Sequence, residues 1–315
     1  MSPHPDLSVV IPCYNEAANL AALYQRLSPV LKSLNLSYEV IFVDDGSRDT
    51  TFDEIRTLHS EDKQVKGLSL SRNFGHQVAL AAGLHHSSGN MVVTMDGDLQ
   101  HPPELIPELI ARCNQGFDIV NTKRLETEGA GFFKRNTSRM FYKLMNRMSD
   151  VALTEGAADF RLMNKAAVEA YASFNERDRF NRGLVTWMGF NQDVIEYNAE
   201  ARFAGKTKYT FRKMLRFAID GITSFSSRPL HLAAYTGILV SVAGLLYAVY
   251  ALIRHFSGAT IPGWTSMLIT VLLLGGVQLI SLGVIGEYIA RIFNEAKSRP
   301  LYFIKEKTED TTGND

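Results

Sequence analysis

Cysteine is scarce: Cys13 and Cys113 are the only two among 315 residues. Two thiols build no disulfide framework, and their separation is not zinc-ligand spacing. Both read as small buried hydrophobes. Net charge is missing as well. Thirty-three Lys and Arg balance 33 Asp and Glu, so bulk positive charge does not draw the chain to nucleic acid. With 21% charged and 46% hydrophobic residues, the composition excludes a disordered chain. The opening MSPHPDLSVVIPCYNE has no basic segment leading into an apolar core and does not read as a signal peptide. Internal repeats and low-complexity stretches are absent.

Long hydrophobic runs are present, although the mean hydropathy of -0.05 conceals them. Residues 230–253 and 264–286 contain no Asp, Glu, Lys or Arg. As helices rising ~1.5 Å per residue, each is about 35 Å long and crosses a ~30 Å hydrocarbon core. Tyr235, Tyr247, Tyr250 and Trp264 give weak support for interfacial anchoring. The linker 254–263 carries one Arg and no Lys, whereas basic residues cluster before the first run and after the second. The positive-inside rule then puts both ends in the cytoplasm and the hairpin loop outside. The residues 307–315 read as a frayed polar tail. Gly237, Gly244, Gly275, Gly276 and Gly283 leave room for close helix packing, and so for a homo-oligomer, whose state stays open.

The first part of the chain alternates strand and helix. Strands are expected at 7–11, 38–43, 65–70, 91–95 and 118–121. Helices are expected at about 17–34, capped by Asn15 and open to interruption at Pro29, then at 50–60, 75–86 and 103–115. Such alternation predicts an α/β fold: a parallel sheet with helices on both faces, and ligands beyond the carboxyl ends of the strands.

The polar clusters fall at those ends. Asp96-Gly97-Asp98 follows an apolar strand. In extended backbone, residues two apart project to the same side, so both carboxylates face one hard cation. Mg²⁺ and Mn²⁺ are held in this way, by one or two carboxylates and substrate phosphates. Gly97 permits a close approach. Asp44-Asp45-Gly46-Ser47 ends a second strand and offers acceptors to a base or ribose; Ser47 and Asp49 also suit a turn and cap. Pro12, Tyr14, Asn15 and Glu16 end the first strand, and Arg72-Asn73-Phe74-Gly75 ends the third, where the Arg suits a phosphate.

These motifs carry a resemblance. VVIPCYNE, VDDGSRDTT, LSRNFGHQVAL and MDGDLQHPPE resemble the family 2 inverting glycosyltransferases of GT-A fold over roughly residues 6–210. With two spans following, the chain resembles the polyprenyl-phosphate glycosyltransferases, the group of bactoprenol glucosyltransferase and dolichyl-phosphate mannosyltransferase. The resemblance implies transfer of a hexose from a nucleotide sugar to polyprenyl phosphate. It assigns the nucleotide sugar to Pro12, Tyr14, Asn15, Glu16, Asp44, Ser47, Arg72 and Asp96. A divalent cation falls to Asp96, Asp98 and Gln100, with Asp98 also serving catalysis. Asp159, in GAADFRLMN, faces sugar and acceptor, as a base or as an orienting group. Arg124, Arg135 and Ser138 resemble acceptor-phosphate ligands, and so do Arg202 and Lys208 in ARFAGKTKYT. There Lys206 and Thr207 replace the more usual Gly or Glu and Ser.

UDP-glucose is the favoured donor by analogy, with GDP-mannose and UDP-N-acetylhexosamines as alternatives. A processive polysaccharide synthase would be expected to carry a Q-x-x-R-W element, which this sequence lacks. A lipid or sugar transporter with a nucleotide-binding domain would be expected to carry ionisable residues in its spans. The domain plan is a catalytic unit at 1–208, a juxtamembrane helix at 209–228, two membrane helices at 229–290 and a cytosolic tail at 291–315.

Two segments suit a headgroup surface. Arg135, Arg139, Lys143 and Arg147 recur every four residues within 132–148, beside Phe133, Met140, Leu144 and Met148. Farther on, Phe211, Met214, Leu215, Ala218, Ile222 and Phe225 fall at helical spacing beside Arg212, Lys213 and Arg216. Neutralising Arg212, Lys213 and Arg216 is expected to slow use of a lipid acceptor more than donor hydrolysis. Equal losses in the two assays would argue against an interfacial role.

Overall fold

A computed structural model of the chain describes residues 4–125, 157–177, 179–198, 223, 226–257 and 263–309. The helices expected at 132–148 and 209–228 fall outside these residues, apart from Thr223 and the last three positions.

Four strands form the parallel centre of the sheet: β1 (Leu7–Cys13), β2 (Tyr38–Asp44), β3 (Val65–Leu70) and β4 (Met91–Thr94). They lie in the spatial order β4-β1-β2-β3, with Leu7 in register with both Tyr38 and Met91. Every residue of β1 and β2 is buried, as expected for parallel strands covered on both faces. The two-residue period then divides them. Val9, Ile11, Val40 and Phe42 pack into one core, whereas Val10, Ile41 and Val43 pack into the other.

The first core is roofed by α1 (Ala17–Ser33), α2 (Thr51–Glu61) and α4 (Ile106–Asn114); the second lies under α3 (His76–His86). Helix α3 sits very close to the sheet: a Cβ on Gly83 would come within 2.2 Å of Val10 Cγ1. Helix α1 runs uninterrupted through Pro29, which sits inside it. Asn15 is not its cap; Glu16 holds that position, and the Asn15 side chain is engaged elsewhere. The expected helix 103–115 begins as a 3₁₀ turn, Pro103–Leu105, before α4.

The sheet is mostly parallel, as expected, with antiparallel additions at its sides. β5 (Ile119–Leu125) runs farther than the expected strand, and β6 (Ala157–Asn164) inserts between β5 and β4, antiparallel to both. β7 (Gln192–Asn198) flanks β5 in parallel. Between β6 and β7 come α5 (Lys165–Ala172) and the short α6 (Asn181–Trp187). The result is one eight-stranded, mostly parallel mixed sheet.

Two long apolar helices, α7 (Arg228–Phe256) and α8 (Trp264–Ala296), pack against each other. Both are long and apolar enough to cross a membrane, and both present Leu and Ile side chains outward. A Cβ on Gly237, Gly244, Gly275, Gly276 or Gly283 would meet nothing within 4 Å, so the contact between these helices does not use them for close approach.

The tail is the main departure from expectation. After α8 the chain returns to the sheet as β8 (Ile304–Lys307), antiparallel to β3. The Ser71 amide donates to the Phe303 carbonyl at 2.9 Å. Arg56 pairs with Glu306 at 2.6 Å. Thr308 is buried and accepts the Gly67 amide on Oγ1 at 2.9 Å. The chain leaving α8 is thus stitched to the strand that leads to Arg72. Thr308→Val keeps the shape but strands the Gly67 N–H, and is expected to cost about 1–3 kcal/mol. The midpoint of denaturant unfolding of the full chain measures it.

Candidate active site

Because β1 to β4 are parallel, their carboxyl ends share one edge of the sheet. Antiparallel β6 brings its amino end there, and β5 and β7 bring their carboxyl ends. The chain order reverses between β1 and β4, which makes their junction the switch point where such sheets bind ligands.

Three loops on this edge are laced together. The Asn15 amide donates to Ser47 Oγ at 2.9 Å, and Asn15 Oδ1 accepts from the Arg48 amide at 2.9 Å. Asn15 adopts φ +55 to do so. The Glu16 amide donates to Thr51 Oγ1 at 3.0 Å. Buried Asp44 accepts the Ser47 amide on Oδ1 and the Ser69 hydroxyl on Oδ2, both at 3.0 Å. Asp45 accepts the amides of Phe74 and Gly75 at 2.7 and 2.9 Å and so holds the start of α3. Burial raises its pKa, although these amides oppose the shift. Gly46 at φ +64 lies so near the third loop that a Cβ would come within 2.4 Å of the Arg72 carbonyl carbon. Tyr14 is exposed, and the Arg72 guanidinium lies 3.9 Å over the Phe74 ring.

β4 stops at Thr94; Asp96 follows it outside regular structure, and Asp98 lies in a turn after which Leu99 takes φ +63. The strand thus ends before the pair, and the turn after it positions Asp98. The Asp96 amide donates to His101 Nδ1 at 2.9 Å, and Asp98 Oδ1 accepts the Gln100 amide at 3.2 Å. His101 is buried and stacks on Phe160, 5.2 Å between centroids.

Across from the turn stands Asp159, its side chain only 7% exposed. Arg161 Nη2 donates to it at 2.9 Å. Arg182, in the first turn of α6, donates from Nη2 at 3.2 Å and from Nε at 3.3 Å. His76 at the start of α3 lies between the carboxylates, with Nε2 3.4 Å from Asp96 and 3.8 Å from Asp159. Burial alone would raise the pKa of Asp159. The guanidiniums of Arg182 and Arg161, together with His76, outweigh it and hold the carboxyl well below the usual range.

Pro12, Tyr14, Asn15, Glu16, Asp44, Ser47, Arg72, Asp96, Asp98, Gln100 and Asp159 therefore belong to loops and strand ends on one rim. Arg124 lies near the carboxyl end of β5 on the same rim, in register with Tyr197. Burial pushes Tyr197 up to about 12, with Arg124 and Arg182 opposing and Asp96 and Asp98 reinforcing the shift. Arg135, Ser138, Arg202 and Lys208 lie outside the described residues. His76, Arg161, Arg182 and Tyr197 are the rim residues that sequence reading missed. His76 stood inside a motif already singled out; Arg182 carried no local signal.

Among the described residues no three His, Cys, Asp or Glu side chains converge as a ready-made metal cage. Two turn carboxylates at a switch point still fit a hard cation that takes its other ligands from substrate phosphates and water.

A carboxylate turn at the switch point of a mostly parallel mixed sheet defines a GT-A-type α/β domain. Residues 8–172 match the model for glycosyl transferase family 2, and residues 228–292 match the GtrB C-terminal hairpin. The uncharacterized glycosyltransferase YkcC of Bacillus subtilis (strain 168) is 44% identical over 306 residues, covering 97% of this chain and 95% of that protein. The bactoprenol glucosyl transferase of Shigella phage SfX is 41% identical over 302 residues, covering 96% and 99%. The solved structure of glucosyl-3-phosphoglycerate synthase from Mycobacterium tuberculosis in complex with Mn²⁺, uridine diphosphate and phosphoglyceric acid superposes with a TM-score of 0.49. Its identity is 18%, over 70% of this chain and 76% of that one. The chain belongs to glycosyl transferase family 2 and, within it, to the polyprenyl-phosphate glycosyltransferases.

The depressed pKa of Asp159 has a consequence for stability. Its contribution is complete above the unfolded carboxyl pKa of about 4 and is lost as pH falls toward the lower folded value. Asp159→Asn leaves two guanidiniums without their partner. It is expected to cost about 3–5 kcal/mol at neutral pH and to flatten the fall in stability below pH ~4. Unfolding midpoints across acid pH check both.

Proposed function

We propose that this glycosyltransferase moves a hexose, glucose in the favoured case, from a nucleotide diphosphate sugar to polyprenyl phosphate at a membrane surface. The observation that carries the reading is the Asp96–Asp98 turn at the β1/β4 switch point, opposite Asp159, in a chain that also has two membrane-length helices. Support for glucose and an undecaprenyl-type lipid comes from relatives at about 40% identity named bactoprenol glucosyl transferase. UDP-glucose is the donor we assign. The charge pattern favours an inner-membrane protein with its catalytic domain and both termini in the cytoplasm.

The nucleotide lies against the first three loops. Pro12, Tyr14, Asn15 and Glu16 line one side. Asp44, each of whose carboxylate oxygens retains a lone pair, accepts from base or ribose. Ser47 and Arg72 stand beside it. Asp96, Asp98 and Gln100 hold a Mg²⁺ or Mn²⁺ ion. When bound, that ion supplies Lewis-acid stabilisation of charge developing on the diphosphate. The acceptor arrives as a phosphate whose second pKa is about 6, so it is largely dianionic and needs no general base. Its oxygen attacks the anomeric carbon as the bond to the diphosphate breaks, and the electron pair leaves with the diphosphate. One displacement inverts the centre, so an α-linked donor yields a β-linked product. Arg124 on the rim, with Arg135, Ser138, Arg202 and Lys208, is assigned to the acceptor phosphate. Catalysis rests on positioning and on preorganised charge.

Asp96→Ala and Asp98→Ala are each expected to lower transfer by at least ~10³-fold while membrane insertion is unchanged. Turnover near normal in either variant would overturn the mechanism. Mass spectrometry of the lipid formed from a panel of nucleotide sugars tests the donor; a product that is not a monohexosyl polyprenyl phosphate would overturn the assignment.

A further inference from the structure

We propose that Arg182 binds a substrate phosphate oxygen, and that Asp159 is the residue that positions it rather than a proton acceptor. The inference rests on the function proposed above and deepens it.

Exposure is the first ground. The Asp159 side chain is 7% exposed, whereas that of Arg182 is 32% exposed. About a third of the Arg182 side chain therefore stays open at the rim while the carboxylate it grips is sealed behind it. The grip uses both carboxylate oxygens, Oδ2 from Nη2 and Oδ1 from Nε. A forked contact of this kind fixes the plane of the guanidinium, and a planar, permanently charged fork matches phosphate geometry.

The second ground is how the carboxylate is used. Arg161, itself buried, donates to the Asp159 oxygen that Arg182 Nε also reaches. Asp159 backbone is tied too: Thr94 Oγ1 donates to its carbonyl at 2.6 Å. A carboxylate doubly paired with guanidiniums is a weak base, and a dianionic acceptor asks for none. Pairing of this strength does explain a charge held in a single orientation.

The third ground lies on the far side of Arg182. Its neighbour Asn181 is 1% exposed and clamps the start of α6 to the start of α3. The Asn181 amide donates to Gln77 Oε1 at 3.0 Å, and its Nδ2 donates to the Gln77 carbonyl at 3.2 Å. Tyr171 Oη donates to Asn181 Oδ1 at 2.6 Å. This buried clamp is independent of Asp159. It sets Arg182 beside His76, which faces Asp96. Two separate devices thus place one guanidinium on the rim that carries the turn carboxylates.

The phosphate belongs either to the donor diphosphate or to the lipid acceptor, and kinetics distinguishes them. The full chain is assayed in lipid nanodiscs with UDP-glucose and undecaprenyl phosphate as wild type, Arg182→Ala, Asp159→Asn and the double variant, each normalised to folded protein. Arg182→Ala is expected to lower kcat/KM by ~10²-fold or more, with partial recovery on adding guanidinium ion. A higher KM for UDP-glucose assigns the guanidinium to the diphosphate; a higher KM for undecaprenyl phosphate assigns it to the acceptor. If Asp159 acts through Arg182, the double variant stays within about threefold of Arg182→Ala. Losses that multiply would overturn the positioning role, and Arg182→Ala within about threefold of wild type would overturn the phosphate role. Should Asp159→Asn not fold, guanidinium rescue of Arg182→Ala decides alone: recovery supports the inference and its absence overturns it. A wild type inert toward both substrates would instead overturn the proposed function.

Discussion

Parallel pairing of the first four strands is the constraint on which this molecule depends. With Leu7 in register with Tyr38 on one side and Met91 on the other, the ends of β1, β2 and β4 must emerge together. Segments far apart in the chain then deliver polar ends to a single edge. Helices on both faces make that register hard to change, because a one-residue slip would turn Val9 and Ile11 toward the wrong core. The rim is accordingly a consequence of how the hydrophobic layers close, and its chemistry is carried by side chains that contribute little to those layers.

Charge is concentrated at this rim and offset locally. Asp44 and Asp45 are buried, yet each is bonded to amides or hydroxyls of neighbouring loops. Asp159 is buried against two guanidiniums. Removing one partner of such a pair costs more than the pair contributes, since the other charge is left dry. Loops bonded in this way hold their charges in fixed places, which suits the preorganised charge of the proposed reaction. β8 adds a further tie, bonding the chain that leaves α8 to the β3 edge.

Much of the site was legible because its motifs are contiguous. VVIPCYNE and VDDGS each join a strand to the loop that follows, and SRNFG and MDGDLQ begin directly after β3 and β4, so a strand prediction already places the polar residues at strand ends. The D-x-D pair lies past the strand rather than in it, since β4 ends two residues before Asp96 and Asp98 sits in a turn. Asn15 resembled a cap and instead bridges two loops. Of the stretch read as a frayed tail, Lys307 ends β8 and Thr308 is buried against Gly67, because an open sheet edge was available to pair with the chain just before it.

Sequence by itself determined the alternation of strand and helix, the two apolar spans and the acidic strand ends. Each of these is a periodicity or cluster within a few neighbouring residues, set by backbone geometry and hydrophobicity. Tertiary structure decided that β6 enters antiparallel beside β4, that His76 stands between Asp96 and Asp159, and that Arg182 grips a carboxylate 23 positions away. Those relations arise from packing and from the need of buried charges to find partners, and no local pattern of residues encodes which distant group will supply one.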